Sequence, residues 1–309
     1  MLNMPEKGFF KRMAVYLREM FPLASRFAVA ALLYMSFARL LAKIHGLPPV
    51  VLSPVTLLGS WNVFALLLIL RLMDELKDRD IDFKLFRDRP LPAGKVKESD
   101  IRLSLIVLMI FSLSVNLAAG KAFWMAVVVL IYSLFMFKYF FIPRILRKYL
   151  LLNLASHNPI LGLMLVQMLV LFSVEYGLGL KTLRWIPCLL LIAMDWAMFF
   201  AWEISRKIRS KQEENEYVTY SQIFGRLGAV AVAGGAQTIT LVIAIYFFRT
   251  LSLSWVFLGA VSAGYILVMA GHVRFAAKPS PATSKLKRFA EAYILSVLAA
   301  ALLDGFFFG

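Results

Sequence analysis

The stretch RLMDELKDRDIDFKLFRDRPLPAG, residues 71–94, sets six acidic and six basic side chains at the end of a long apolar run. Its reading depends on what surrounds it. The chain has 309 residues, of which 61% are hydrophobic and only 17% charged, with a mean hydropathy of +0.76. Those values lie far outside the range of soluble globular domains and identify an integral membrane protein. Charge gathered where a greasy segment ends is charge placed at a membrane surface.

Outward from this stretch, apolar segments recur near 22–45, 51–73, 100–120, 121–142, 149–174, 184–204, 226–248, 254–273 and 289–308. Each is about 20 residues long, which as a helix crosses a hydrocarbon core of roughly 30 Å. Open sheet edges cannot be satisfied in lipid, and the alternating pattern of barrel strands is absent. The predicted fold is therefore all-α, a polytopic membrane protein built as a bundle of nine transmembrane helices with cytoplasmic cap loops, one transmembrane domain over residues 1–309. The first 21 residues interleave Phe9, Phe10, Met13, Tyr16, Leu17 and Phe21 with Lys and Arg, the pattern of an interfacial amphipathic helix. That segment lacks a small-residue cleavage site behind a short apolar core, so it is not read as a signal peptide.

The basic residues set an orientation. With a cytoplasmic N-terminus, the same side collects Lys7, Lys11, Arg12 and Arg18, the block from Arg71 to Lys97, and Arg144, Arg147 and Lys148. It also takes Arg206, Lys207, Arg209 and Lys211, then Arg274, Lys278, Lys285, Lys287 and Arg288. The opposite side holds little beyond Lys43, Lys121, Lys181, Arg184 and Arg249. This asymmetry obeys the positive-inside rule and makes the quoted stretch cytoplasmic. Topology and anionic membrane lipids account for the net charge of +16, so no nucleic-acid partner is expected, and no protein partner is implied. The lone Cys188 excludes a disulfide framework and a cysteine metal cluster. Neither a Gly-rich phosphate loop, nor zinc-ligand spacing, nor a serine-hydrolase elbow is found.

Asp74, Asp78 and Asp82 recur every four residues, which on a helix places them within an arc of roughly 80°, with Glu75 beside them. Like charges at that spacing repel unless something cationic sits on them. Magnesium suits such a stripe, because it takes oxygen ligands and shares itself between a few carboxylates and a substrate phosphate. The alternative is a solvated helix end neutralised by Arg71, Lys77 and Arg79. Beyond the stripe, Arg87 and Arg89 are placed to reach phosphate oxygens, ahead of a Pro- and Gly-defined turn ending at Gly94. A second loop brings Arg147 and Lys148, then Asn153, His157 and Asn158 inside an apolar span, where polar groups are expected to face the bundle interior. A third has Asp195 and Glu203 eight residues apart, expected on one face of the sixth apolar helix, followed by Arg206 and Lys207.

With these residues in view, the sequence resembles the UbiA-type intramembrane prenyltransferase superfamily. DELKDRDID supplies Asp74, Glu75, Asp78 and Asp82 at the spacing of the family's first acidic signature, and RPLPAG supplies Arg89, Pro90, Leu91 and Gly94. Pro143, Arg147, Lys148, Pro159, Leu161 and Gly162 are similar to a second family feature around its fifth helix. The chain departs from the pattern in two places. Asp74 and Glu75 stand where the family commonly has Asn and Asp. The family's second pair of aspartates is replaced by Glu203 or the Glu213, Glu214 and Glu216 group, or by the basic Arg206 and Lys207, ahead of a recognisable TYSQIFG segment.

The resemblance implies a transferase in which Mg²⁺ and basic residues neutralise a departing diphosphate. It assigns Asp74, Glu75, Asp78 and Asp82 to the metal, with Asp78 and Asp82 also catalytic. Phosphates fall to Arg87, Arg89, Arg147, Lys148, Arg206 and Lys207, with Asn158 in the substrate site. Asp195 or Glu203 would orient or deprotonate the acceptor; the alternative for Asp195 is a structural pairing inside the bundle. Three functions remain open: transfer of an isoprenoid group from its diphosphate to an aromatic or other lipophilic acceptor, transfer of a phosphoribosyl group onto polyprenyl phosphate, and cation transport without chemistry. Against transport, the acids cluster at a surface and not at the midplane.

Overall fold

The structure is a computed structural model that describes residues 8–48, 52–214 and 218–307, with side chains as far as Asp304. Among the described residues every regular element is helical: α1 (Phe9–Met20), α2 (Leu23–His45), α3 (Pro54–Lys77), α4 (Arg79–Leu85), α5 (Glu98–Asn116), α6 (Lys121–Phe137), α7 (Pro143–Lys148), α8 (Leu150–His157), α9 (Pro159–Glu175), α10 (Trp185–Ser205), α11 (Tyr220–Thr250), α12 (Trp255–Ala277) and α13 (Leu286–Phe307). The first part of the expected amphipathic segment, residues 1–7, and Glu216 lie outside the described residues.

Each apolar stretch read from the sequence falls on helix, and seven of the described spans have the length and hydropathy to cross a membrane where nine were expected. They are α2, α3, α5 with its following turn, α8 joined to α9, α10, α11 and α12. Helix α6 is apolar but only 17 residues long, because the chain leaves it at Lys138 for a turn over Tyr139–Phe141. The stretch 149–174 is interrupted at Asn158–Pro159, where proline has no N–H to donate to the Ala155 carbonyl. Helix α11 begins six residues earlier than the apolar pattern and bends at Gly225, whose φ of 69° suits glycine.

The helices start where the sequence caps them. Ser53 accepts from the Thr56 N–H ahead of Pro54, and Thr219 exchanges hydrogen bonds with Gln222 at the foot of α11. The TYSQIFG segment is thus a capped helix start followed by a glycine bend.

The chain forms two compact units, Met1–Tyr34 with Leu52–Lys148, and Met35–Val51 with Tyr149–Gly309, and α2 runs from the first into the second. In the first unit α3 packs along α5, where Asn62 and Asn116 exchange amide hydrogen bonds at 2.9 and 2.7 Å. Two buried amides that satisfy each other remove the penalty of placing either in an apolar interior. Gly59 leaves the space that the Tyr34 ring fills: a Cβ there would lie 2.1 Å from the ring. In the second unit α10 lies along α11 and α12 along α13. Small residues permit this, with Ala197 and Ala201 facing Ala236, and Gly264 and Gly271 seated against Ser296 and Phe289. At the end of this unit where α2 stops, Asp304 accepts from the Ser254 N–H at 2.6 Å and pairs with Lys43 at 3.2 Å.

Candidate active site

The acids of the quoted stretch sit at a joint between two helices. Helix α3 ends at Lys77, Asp78 occupies the joint with φ −95° and ψ 12°, and α4 begins at Arg79. Backbone bonds from Asp78 to Asp74 and from Asp82 to Asp78, at 2.9 and 3.0 Å, carry the i,i+4 spacing across the break. Each carboxylate then meets a different partner within the first unit. Asp74 is half exposed and lies 3.5 Å from Lys77. Glu75 is buried, and its Oε2 accepts from Arg71 and, at 3.4 Å, from the Tyr16 hydroxyl. Asp78 accepts from the Tyr139 hydroxyl at 3.4 Å. Asp82, also buried, holds Arg89 Nη1 with both oxygens at 2.6 and 2.7 Å.

Tyr139 ties the second basic loop to the acids, and no sequence signal marked it. Its ring carries Lys77 Nζ at 4.8 Å and Arg147 at 5.0 Å, both cation–π contacts, while its hydroxyl reaches Asp78. Burial, and then the Asp78 charge, push the Tyr139 phenol above its ordinary value, so it serves as a hydrogen-bond donor. The backbone here runs through three consecutive left-handed residues, Tyr139, Phe140 and Phe141, with φ of 50°, 49° and 62°. Bulky residues avoid that region, and strain of this kind persists where the surroundings hold it in place. Because none of the three is Gly or Asn, the turn left no trace in the residue pattern.

The RPLPAG segment forms the expected turn. The Ala93 and Lys95 N–H groups bond to Arg89 and Pro90 carbonyls at 2.9 Å, Gly94 takes φ 71°, and Leu91 and Val96 are buried beneath. This fixes Arg89 over Asp82, with its guanidinium 4.1 Å from the Phe86 ring centre. Arg87 points to solvent, and Lys148 is exposed at the end of α7 beside Arg147.

In the second unit Glu203 is engaged by its own helix end: Arg206 donates at 2.5 and 3.0 Å, and Lys207 lies at 3.3 Å. Glu213 accepts from the Ser210 hydroxyl and N–H at 2.6 and 3.1 Å and caps a short turn. Asp195 is buried in α10, about 12 Å of helix rise from Glu203, so α10 does not bring the two together. Asn158 borders an apolar cleft of about 280 Å³ between α8, α9 and α10, with Leu151, Leu154, Trp196 and Phe200 among its walls.

No protein-family model matches the sequence, and no curated protein does. Solved structures do. A digeranylgeranylglyceryl phosphate synthase, 16% identical, covers 95% of this chain and 98% of its own with a TM-score of 0.63. The apo form of a UbiA homolog from Aeropyrum pernix K1, 13% identical, covers 89% of this chain and 98% of its own with a TM-score of 0.63. The chain has the UbiA-type fold. At such low identity the likeness is one of fold, and the arrangement of acids and cations has to be judged on this chain's own residues.

Among the described residues no three acids converge into a ready-made metal cage. Magnesium does not require one, since it keeps waters and is completed by substrate phosphates around one or two carboxylates. The donor set fits that ion: it is all oxygen, Asp74 is open to solvent, and Glu75 Oε1 is buried with no hydrogen-bond partner. The joint between α3 and α4 thus sets oxygen donors and cationic side chains side by side.

Proposed function

We propose that the chain is a Mg²⁺-dependent intramembrane prenyltransferase, moving an isoprenoid group from its diphosphate to an aromatic or other lipophilic acceptor at the cytoplasmic face. One observation carries this reading. The α3–α4 joint interleaves carboxylates and cations through contacts between distant segments, Asp78 to Tyr139 to Arg147, in a multi-pass chain of UbiA-type fold. Asp74 and Glu75 are paired with their helix neighbours Lys77 and Arg71, and neutralisation alone would need nothing further.

Mg²⁺, when bound, would supply the charge that stabilises the departing diphosphate. The protein's part is preorganisation. Asp74, Glu75, Asp78 and Asp82 are the candidate ligands, paired in turn with Lys77, Arg71, Tyr139 and Arg89. Arg89, Arg147 and Lys148 are the candidate phosphate donors, and charge-assisted contacts from such groups are the strong ones. Arg87, which faces solvent, would meet an incoming diphosphate first. Tyr139 sets the distance between Asp78 and Arg147. In α10, Glu203 is occupied by two cations, so Asp195 is the better candidate to take a proton from an acceptor, and Asn158 would bind the acceptor or the isoprenoid.

A second reading, phosphoribosyl transfer to polyprenyl phosphate, draws on α10 ending in Arg206 and Lys207 on Glu203 where the family's second pair of aspartates is expected. One experiment separates the two. The melting temperature of detergent-purified protein is measured with geranylgeranyl diphosphate and with phosphoribosyl diphosphate, each with and without Mg²⁺, since selective binding raises stability. Mg²⁺-dependent stabilisation by the isoprenoid alone supports prenyl transfer; a response to the phosphoribosyl compound alone replaces it with the second reading.

A further inference from the structure

Helix α1 does more than lie on a surface. Arg12, Tyr16 and Glu19 follow one another at helical spacing, and each reaches a different part of the first unit. Arg12 pairs with both oxygens of Asp100 at 2.6 and 2.8 Å, and Glu19 with Lys95 at 2.8 and 2.9 Å. Phe10, on the other side, is 84% exposed, as expected of a face turned to lipid. Between the two ion pairs Tyr16 is fully buried, with its hydroxyl 3.4 Å from Glu75 Oε2. A membrane anchor has no use for a buried phenol, since a hydroxyl taken out of water costs free energy unless it is bonded.

The bond lands on the acid stripe. Glu75 is 1% exposed; one oxygen receives Arg71 and Tyr16, and the other, Oε1, is buried without any hydrogen-bond partner. A carboxylate fixed by two donors at one oxygen has its other oxygen aimed. Leaving that oxygen unpaired is costly, and a cation with an oxygen preference would remove the cost.

We infer that Tyr16 is a positioning residue which, with Arg71, presents Glu75 Oε1 to the site's cation, so that docking of α1 through Arg12 and Glu19 is a condition for cation binding. This rests on the proposed function, and goes beyond it by making the N-terminal helix part of the site. Partners of this kind, behind a metal's own ligands, change affinity by about 10–100-fold when removed.

The test uses the full chain. The Mg²⁺ concentration giving half-maximal thermal stabilisation is measured in the presence of geranylgeranyl diphosphate. Tyr16→Phe, which keeps the ring and the packing, is expected to raise that concentration about tenfold while leaving the melting temperature without Mg²⁺ nearly unchanged. Glu75→Gln raises it as well, and Tyr16→Phe adds nothing further in the Glu75→Gln background, because the hydroxyl then has no carboxylate to aim. Arg12→Gln, which loosens α1 without touching Glu75, shifts it in the same direction. An unchanged Mg²⁺ midpoint in Tyr16→Phe, or an equal shift with and without Glu75, overturns the role of Tyr16 and leaves the acid stripe standing. No Mg²⁺ effect in the unaltered protein, or none from Glu75→Gln, overturns both.

Discussion

The α3–α4 joint and the foot of α10 both bring acids and bases together, yet they do so differently. At the joint, Glu75, Asp78 and Asp82 are met by Tyr16, Tyr139 and Arg89, two of them some sixty positions away in the chain. At the foot of α10, Glu203 is met by Arg206 and Lys207, three and four positions on. A local pair forms whenever a helix places opposite charges one turn apart, and contributes only about 0.3–0.5 kcal/mol. The joint has local pairs too, Asp74 with Lys77 and Glu75 with Arg71, but partners from distant segments require the fold to deliver them, and that is the difference between the two regions.

The comparison breaks most readily at Asp78. Asp78→Asn is expected to lower Mg²⁺-dependent diphosphate release from geranylgeranyl diphosphate by about 10²–10³-fold, the scale of losing one electrostatic contact to a transition state. Its melting temperature should hold, since the change removes a charge from a repelling row. Unaltered release would return the joint to the status of a solvated helix end.

Arg89 gives the next largest effect, this time on stability. Arg89→Ala leaves the Asp82 carboxylate buried and unpaired, and is expected to cost about 1–3 kcal/mol in denaturant unfolding. Arg89→Lys recovers the charge but not the two-oxygen geometry, so it should restore only part. Complete recovery by lysine would show that the bidentate contact is dispensable.

Lys148→Ala sharpens the picture of the basic loop. The affinity for geranylgeranyl diphosphate with Mg²⁺ is expected to fall about tenfold, as one charge-assisted contact is lost. Equal affinity for the two proteins would retire Lys148 as a phosphate donor. The smallest effect belongs to the other region: Glu203→Gln should change stability by no more than about 0.5 kcal/mol and leave Mg²⁺-dependent binding intact. A large loss of Mg²⁺-dependent binding there would instead make the foot of α10 a second acidic half-site.

The fold was largely legible in the sequence because apolar length announces itself. Each long apolar stretch became helix, and turn chemistry marked the turn at Gly94, whereas the interruption at Asn158–Pro159 inside the 149–174 stretch and the bend at Gly225 were not expected. Of the nine expected spans, two are not among the seven: α13, and α6, which ends early at a turn without turn residues, Tyr139–Phe141. The acids were legible from their spacing, but the assumption of one continuous helix was not quite right, since the chain changes helix at Asp78. That Tyr16 and Tyr139 reach the acids was not legible at all. In a chain with 26 phenylalanines and 11 tyrosines, one more aromatic near a helix end carries no signal until something is seen to lie beneath its hydroxyl.

The sequence by itself therefore determined the solvent this protein folds in, the positions of its helices, and the grouping of charge at residues 71–94. These depend on composition and on spacing within a few turns, which any single segment carries. The tertiary structure decided which cation or hydroxyl each carboxylate meets, and which oxygen of Glu75 is left unpartnered. Hydrogen bonds reach only about 3 Å, so the choice among many possible donors rests on packing between segments far apart in the chain.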